Sequence, residues 1–341
     1  MLSGELHRKT HESRIAYASF QPHTPEPVPV WCSHRSVVDM TAPQPSTRRV
    51  YGVLVLTTLF WGGSFLFTKL GLATVPPVHF VAIRFALATA IMLLLAVRRL
   101  PKLDRGSARR GAIVGLALGA TNLIFVLGIK GTSISRAGVL NNLFVLFIPL
   151  LAKLVWRDRI GGANLVGVGL AVIGIGLLAG GGSGFNTGDF FSTVCAFCIA
   201  IHILTVSKVL RRDDDVWLVS LVQFAVVAAM AGTLCLLVPA PDYVLTGQAL
   251  GSIVYCAVLP TVVCFTLQNA FQRHTTATRA GLIYTLDPVW SLVAGYLVLG
   301  ERLRGREWIG CGLIFAAALV PLIFRLLQER QLVARYGGPA D

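Results

Sequence analysis

Ten apolar runs, at about residues 51–72, 77–97, 111–129, 134–156, 163–180, 188–208, 216–238, 248–271, 277–299 and 307–326, leave this 341-residue chain few folds to adopt. Each spans about 18–24 residues, and at about 1.5 Å per residue a helix of that length matches a hydrocarbon layer about 30 Å thick. Only 13% of the residues are charged, against about 25% in soluble domains. The expected fold class is therefore all-α and integral to a membrane, with lipid as solvent. The net charge of +14 would point to nucleic acid in a soluble chain. Here Lys and Arg gather in short clusters between apolar runs, which is a topology signal, and no nucleic-acid partner is expected.

The placement of those cations orients the spans. With the N-terminus in the cytoplasm, 23 of the 30 Lys and Arg fall on the cytoplasmic side and 5 outside, while Lys69 and Arg84 lie within spans. Excess positive charge marks the cytoplasmic face, so both termini are expected there, in the inner, cytoplasmic membrane. Residues 1–50 are polar and proline-bearing and are expected to form a disordered cytoplasmic tail, with Met40 as an alternative start. Residues 327–341 are expected to be a second cytoplasmic tail.

The spans also repeat. Arg136–Leu170 and Arg279–Leu313 align without a gap at a separation of 143 residues, with 11 identities in 35 positions, among them Arg136/Arg279, Gly138/Gly281 and Arg159/Arg302. Two units, 51–180 and 188–326, then hold five spans each. An odd number of spans forces the two units into opposite orientations, so the expected architecture is ten transmembrane helices in two inverted five-helix repeats. Small faces at Gly111, Gly115 and Gly119, and at Gly176 and Gly180, are expected to let helices approach closely.

Several chemistries lack their signatures. No Walker sequence supports ATP hydrolysis, and Gly167-Val-Gly169 follows no strand, as a dinucleotide site would need. Ser64 sits in GGSF, not in a nucleophile elbow, and no HExxH occurs. Cys195 and Cys198 spell CxxC without a second pair or a His cluster. No catalytic residue, metal or cofactor is assigned, and the chain is read as a non-enzyme.

Polar groups within spans are the informative residues, because a charge at a helix centre costs roughly 2.5–3.5 kcal/mol on insertion scales. Arg84 lies about a third of the way into the second span. Asp287 precedes Pro288 mid-span, where proline bends a helix and frees a carbonyl. Lys69 closes the first span and can either face a cavity or snorkel to the interface. His202, Asn122, Asn141, Asn142, Gln223, Gln268 and Asn269 need partners, either in a cavity or between helices. Trp61, Tyr284 and Trp290 share spans with these groups, as aromatics of a solute pocket do.

WGGSFLFTKL at Trp61–Leu70, PPVHFVAIRFALA at Pro76–Ala88 and the run from Arg279 to Leu303, with Pro288 followed by Gly300-Glu301, resemble the drug/metabolite transporter superfamily in its EamA-type branch. The first copy departs from that pattern, with Trp156-Arg157-Asp158 where Gly-Glu is usual and Pro149 displaced by four. The resemblance implies a secondary carrier with inverted five-helix repeats and a central cavity lined by spans 1–4 and 6–9. It implies export or import of amino acids, other metabolites or drugs, often coupled to protons. The expected function is alternating-access movement of a small metabolite, with export favoured and a membrane-embedded enzyme or lipid-handling protein as the alternative. Expected partners are a small-molecule substrate and the lipid bilayer, with protons as a candidate coupling ion and a homodimer as a candidate assembly. Arg84 and Lys69 would meet an anionic group, and Asp287 an amine or the coupling proton.

Overall fold

The computed structural model describes residues 45–156, 162–179, 184–238 and 242–336. The N-terminal segment up to residue 44, Met40 included, and the charged residues Arg157, Asp158 and Arg159 lie outside the described residues. Helices begin where a small polar residue precedes an apolar run. Ser46, Asp104, Ser133, Asn186, Asp215, Thr246 and Thr276 each accept a hydrogen bond from a backbone N–H in the first turn that follows. Those donors have no partner inside the helix, so the caps fix its start.

The helices are α1 (Thr47–Gly71), α2 (Pro77–Ala96), α3 (Arg105–Gly131), α4 (Ile134–Asn141), α5 (Phe144–Trp156) and α6 (Gly162–Ala179). There follow α7 (Thr187–Val209), α8 (Val216–Leu237) and α9 (Gly247–Cys256), which runs through a π-helical stretch, Ala257–Phe265, into α10 (Thr266–Phe271). The chain ends with α11 (Ala277–Tyr284), α12 (Asp287–Val298) and α13 (Gly305–Tyr336). The expected C-terminal tail is thus helical as far as Tyr336, a continuation of the last apolar run. Among the described residues, eight helical stretches are long and apolar enough to cross a membrane, and Leu165–Leu177 is a shorter apolar helix. Leu94, Leu154, Leu236 and Leu297 are each more than 70% exposed. Against water such a surface would drive aggregation, whereas lipid tails are as apolar as leucine.

α3 packs along α7 and α8, α2 along α8, and α6 along α13, while α1 lies against α9 and α12. The Gly111, Gly115 and Gly119 ladder seats α3 on α8, where added methyl groups would strike Val219, Gln223 and Met230. Gly176 has open space around it, and its expected partner Gly180 lies outside the described residues. Gly174 makes the close approach instead, against the Gly310 carbonyl of α13.

Two helices are broken at mid-length. The sequence predicts one bend, at Asp287-Pro288. The structure has α11 ending at Tyr284, Thr285 and Leu286 as a turn, and Pro288 in the first turn of α12, where a missing N–H costs nothing. It has a second break at Asn142 and Leu143, between α4 and α5, with no proline in the first turn that follows; Pro149 lies further along α5. The two breaks sit at equivalent positions of the 143-residue repeat.

Candidate functional site

The breaks face a cavity of about 100 Å³. Its lining comes from α1 (Trp61, Ser64, Phe65), α2 (Arg84), α3 (Thr121, Asn122, Phe125), the first broken helix (Gly138, Asn141, Asn142, Phe144), α7 (Ile199, Ile203), the π-helical stretch and α10 (Phe265, Gln268), and the second broken helix (Tyr284, Asp287, Pro288).

Arg84 owes its position to Pro260. Proline has no N–H to offer the Cys256 carbonyl one turn back, and the helix there takes π geometry. The Thr261 hydroxyl occupies the freed Cys256 carbonyl at 2.7 Å and accepts from Arg84 Nε at 2.8 Å. The guanidinium is buried, 2% exposed, and lies over the Phe85 ring at 5.3 Å. Among the described residues no carboxylate lies within ion-pair distance of it. Trp61 Nε1 donates to the Pro260 carbonyl at 3.1 Å, so the same proline also holds the indole that walls the cavity.

Asp287, at the start of α12, lines the cavity from the other side. Its Oδ1 is buried without a hydrogen-bond partner among the described residues. The same is true of Asn141 Oδ1, both side-chain polar atoms of Asn142 and Gln268 Oε1. A buried polar atom left unpaired costs about 1–3 kcal/mol. So many converging on one small space define a site built for a polar ligand or water.

Of the thirteen residues singled out from the sequence, the cavity gathers Trp61, Arg84, Asn122, Asn141, Asn142, Gln268, Tyr284 and Asp287. It does not gather the other five, Lys69, His202, Gln223, Asn269 and Trp290. Lys69 donates to the Ile129 and Thr132 carbonyls at 2.8 and 2.7 Å, capping the end of α3, where a cation suits the helix dipole. His202 and Gln223 lie behind Phe265, with His202 Nε2 and Gln223 Nε2 3.4 Å apart. Gln223 Oε1 accepts from Asn269 at 2.6 Å. Trp290 Nε1 donates to the Thr58 hydroxyl at 3.1 Å, and its Cβ occupies the space left by Gly62.

Buried layers bound the cavity toward both ends of the bundle. One lies toward the end where α3 and α12 finish. There Arg136 pairs with Asp189 at 2.6 Å and Glu307 at 3.1 Å and donates to the Gly184 carbonyl at 2.8 Å. Thr132 donates to Asp189, and Glu301 accepts from the Ile134 and Ser135 amides at 2.9 and 3.0 Å. Toward the opposite end the buried contacts centre on Gln272, and the neighbouring Arg273 donates to the Arg211 and Asp214 carbonyls at 3.2 and 2.9 Å. Gln272 Oε1 accepts from Gln268 Nε2 at 2.7 Å and Tyr284 Oη at 3.0 Å. Its Nε2 donates to the Ile203 carbonyl and Ser207 Oγ, both at 2.8 Å. Beyond that layer, Asp214 in the α7–α8 loop binds Arg110 and Ser107 of α3. Burial pushes the Asp214 carboxyl up, but Arg110, the Arg211 amide and Ser107 outweigh it and hold it below the usual carboxylate range.

Gln272 and Thr261 are the residues that sequence reasoning missed. Gln272 sits at the end of an apolar run, where a polar residue is ordinary. Pro260 within that run is the signal for Thr261, since a mid-span proline demands a substitute donor.

Comparison with known proteins places the cavity in context. The profile of the EamA-like transporter family matches residues 49–180 and again 186–323. An uncharacterized transporter of Archaeoglobus fulgidus is 27% identical over 282 residues, covering 80% of this chain and 86% of its own length. A protein of Salmonella typhimurium described as a "probable amino-acid metabolite efflux pump" is 23% identical over 278 residues, 78% of this chain and 92% of its own. A protein of Escherichia coli with the same description is 22% identical, over 79% and 93% of the two chains. A solved crystal structure superposes with a TM-score of 0.62 at 20% identity, covering 83% of this chain and 99% of its own, which is a likeness of fold.

Proposed function

The chain belongs to the EamA-like transporter family, and from that premise we propose that it carries a small zwitterionic metabolite, amino-acid-like in its charges, out of the cell by alternating access. Transport across a membrane follows from the family; the substrate class is read from the cavity. The carrying observation is a cationic and an acidic side chain, Arg84 and Asp287, buried at one cavity without an ion pair between them. An unpaired buried ion is held at a cost of several kcal/mol, and a ligand that brings the missing counter-charges removes it. A carboxylate facing Arg84 and an ammonium facing Asp287 would each gain a charge-assisted bond. Asn141, Asn142 and Gln268 would orient the rest of the solute. When no ammonium is bound, Asp287 is the group placed to hold a coupling proton.

Ten spans in two inverted five-span repeats, with both termini in the cytoplasm of an inner membrane, are part of this reading. Three observations support it. The Lys and Arg bias is 23 to 5. The two helix breaks share one register. And Gly138 faces Ser291 while its repeat counterpart Gly281 faces Ile148, which is the repeat counterpart of Ser291. A membrane-embedded enzyme is the weaker reading, since the cavity holds orienting groups without a paired nucleophile and base.

The test is a thermal-shift screen of the purified chain, because a ligand that binds only the folded state raises its apparent stability. Free amino acids are expected to raise the midpoint. Their N-acetyl and amide derivatives, each lacking one charge, are expected not to. Equal shifts from the derivatives would remove the zwitterion from the account.

A further inference from the structure

The orientation of one carboxamide at the cavity is dictated from outside it. The Ile203 main-chain carbonyl can only accept a hydrogen bond, so the Gln272 atom 2.8 Å from it is Nε2. Gln272 Oε1 is thereby turned the other way, where Gln268 Nε2 and Tyr284 Oη both donate to it, at 2.7 and 3.0 Å. Gln268 has no choice left: its Nε2 faces Gln272, and its Oε1 is the atom without a partner. Gln272 is 0% and Gln268 1% exposed, so bulk water does not compete for these bonds. A relay that starts at a backbone carbonyl therefore sets which end of Gln268 is left for a solute.

The oxygen so left joins others of its kind. Asp287 Oδ1, Asn141 Oδ1 and Asn142 Oδ1 are likewise buried without a partner among the described residues, on side chains that line the same cavity. Against them stands one such nitrogen on a lining side chain, Asn142 Nδ2. Apart from the Arg84 guanidinium, the set is short of donors. A primary ammonium brings three N–H groups, and a fully methylated one brings none at equal charge. Methylated ammonium ions are held instead by aromatic faces. Here the Trp61 ring already packs against Phe265 and Tyr284, at 5.3 and 5.1 Å between centroids. The rings close on one another and leave no open cage.

We propose that Gln272 holds Gln268 with its carbonyl oxygen toward the solute, and that the cavity thereby counts N–H groups, selecting a primary amine over its N-methylated forms. This rests on the zwitterion reading and sharpens it: charge alone does not suffice, because the ammonium must also bring hydrogens. Gln268 is the specificity-determining residue. Gln272 is a positioning residue that acts through it. Each acceptor left unpaired behind a methyl group keeps its desolvation penalty, so a site built on hydrogen bonds rejects an analogue that lacks them.

Thermal-shift titration of the full-length protein in detergent tests this with L-serine, L-leucine and L-phenylalanine, each beside its N-methyl and N,N,N-trimethyl derivative. All of these compounds are zwitterions. At least one parent is expected to bind, its trimethyl form at least about 100-fold more weakly and its monomethyl form in between. Gln268→Met and Gln272→Met are each expected to cut that preference to about tenfold or less. The double variant is expected to cut it no further, because the two residues act as one unit. A purely structural Gln272 would lower the melting midpoint of the solute-free protein and leave the preference intact, which overturns the relay. Should Gln272→Met not fold, the wild-type methyl series and Gln268→Met still decide the proposal. Equal or tighter wild-type binding of a trimethyl form overturns it while the zwitterion reading stands, tighter binding being the mark of an aromatic cage. If no parent binds, the zwitterion reading falls and this inference falls with it.

Discussion

At the Asn142–Leu143 break the chain turns two carboxamides toward the cavity. At the Thr285–Leu286 break, 143 residues later, it turns a carboxylate toward it, followed by proline. The frame around the two breaks is common: a hydroxyl N-cap at Ser133 and Thr276, an Arg-Ala-Gly run, and a glycine where the partner broken helix crosses. What differs is charge and its surroundings. Arg136 is buried in ion pairs while Arg279 is exposed, and Phe144 stands where the other copy has Asp287. The break is therefore a property of the shared frame, and an ionisable group facing the cavity has been laid on it in one copy only.

The largest effect expected on that comparison is the Arg136→Met/Arg279→Met contrast. Stranding Asp189 and Glu307 should cost about 3–5 kcal/mol, whereas the exposed Arg279, whose contacts solvent screens, should cost under about 1 kcal/mol. Denaturation midpoints in one detergent give both, and equal losses would mean that the two copies are not in different environments.

Next is a separation of binding from stability. Arg84→Met removes a buried cation that has no counter-ion, so folded stability should hold or rise, while affinity for a carboxylate-bearing solute falls about 10- to 100-fold. Titration calorimetry and thermal melting on the same preparation measure the two. A large loss of stability would make Arg84 a structural residue.

A smaller effect, about 1–3 kcal/mol, is expected for Gly138→Ala, since the added methyl would overlap the Ser291 side chain. Gly281→Ala should cost less, because the flexible end of Ile148 can move aside. Restoring Gly138→Ala with Ser291→Gly would show the crossing directly in the melting midpoint.

Pro288→Ala should matter least, under about 1 kcal/mol, with solute binding kept. The first copy breaks without a proline in the turn that follows, so the second should too. Loss of binding would show that Pro288 itself holds α12 in place.

The apolar runs made the helices legible because hydropathy reports membrane depth directly, and the repeat made the frame legible because equivalent positions carry equivalent contacts. The site was legible by half. Arg84 and Asp287 are conspicuous in an apolar run, since a charge there needs a reason. Lys69 is equally conspicuous, yet it caps α3. The fate of a polar side chain depends on which neighbouring helix offers a partner, and one-dimensional order does not contain that. The Asn142 break is hidden because no proline marks its start, and its backbone is satisfied locally, with Leu143 N–H donating to the Leu140 carbonyl and Val145 N–H to the Asn142 carbonyl. Gln272 is hidden because one glutamine at a span end carries no signal until its four partners are in place.

The central claim is that two unpaired charges at one cavity recognise a zwitterion and move it. The most direct measurement is counterflow of a radiolabelled amino acid, chosen by the thermal screen, in proteoliposomes holding the wild type or Asp287→Asn. The account predicts uptake by the wild type and at least about a 100-fold loss in the variant, from one missing charge-assisted contact in a water-poor site, with its melting midpoint unchanged or raised. Undiminished uptake by Asp287→Asn would contradict it.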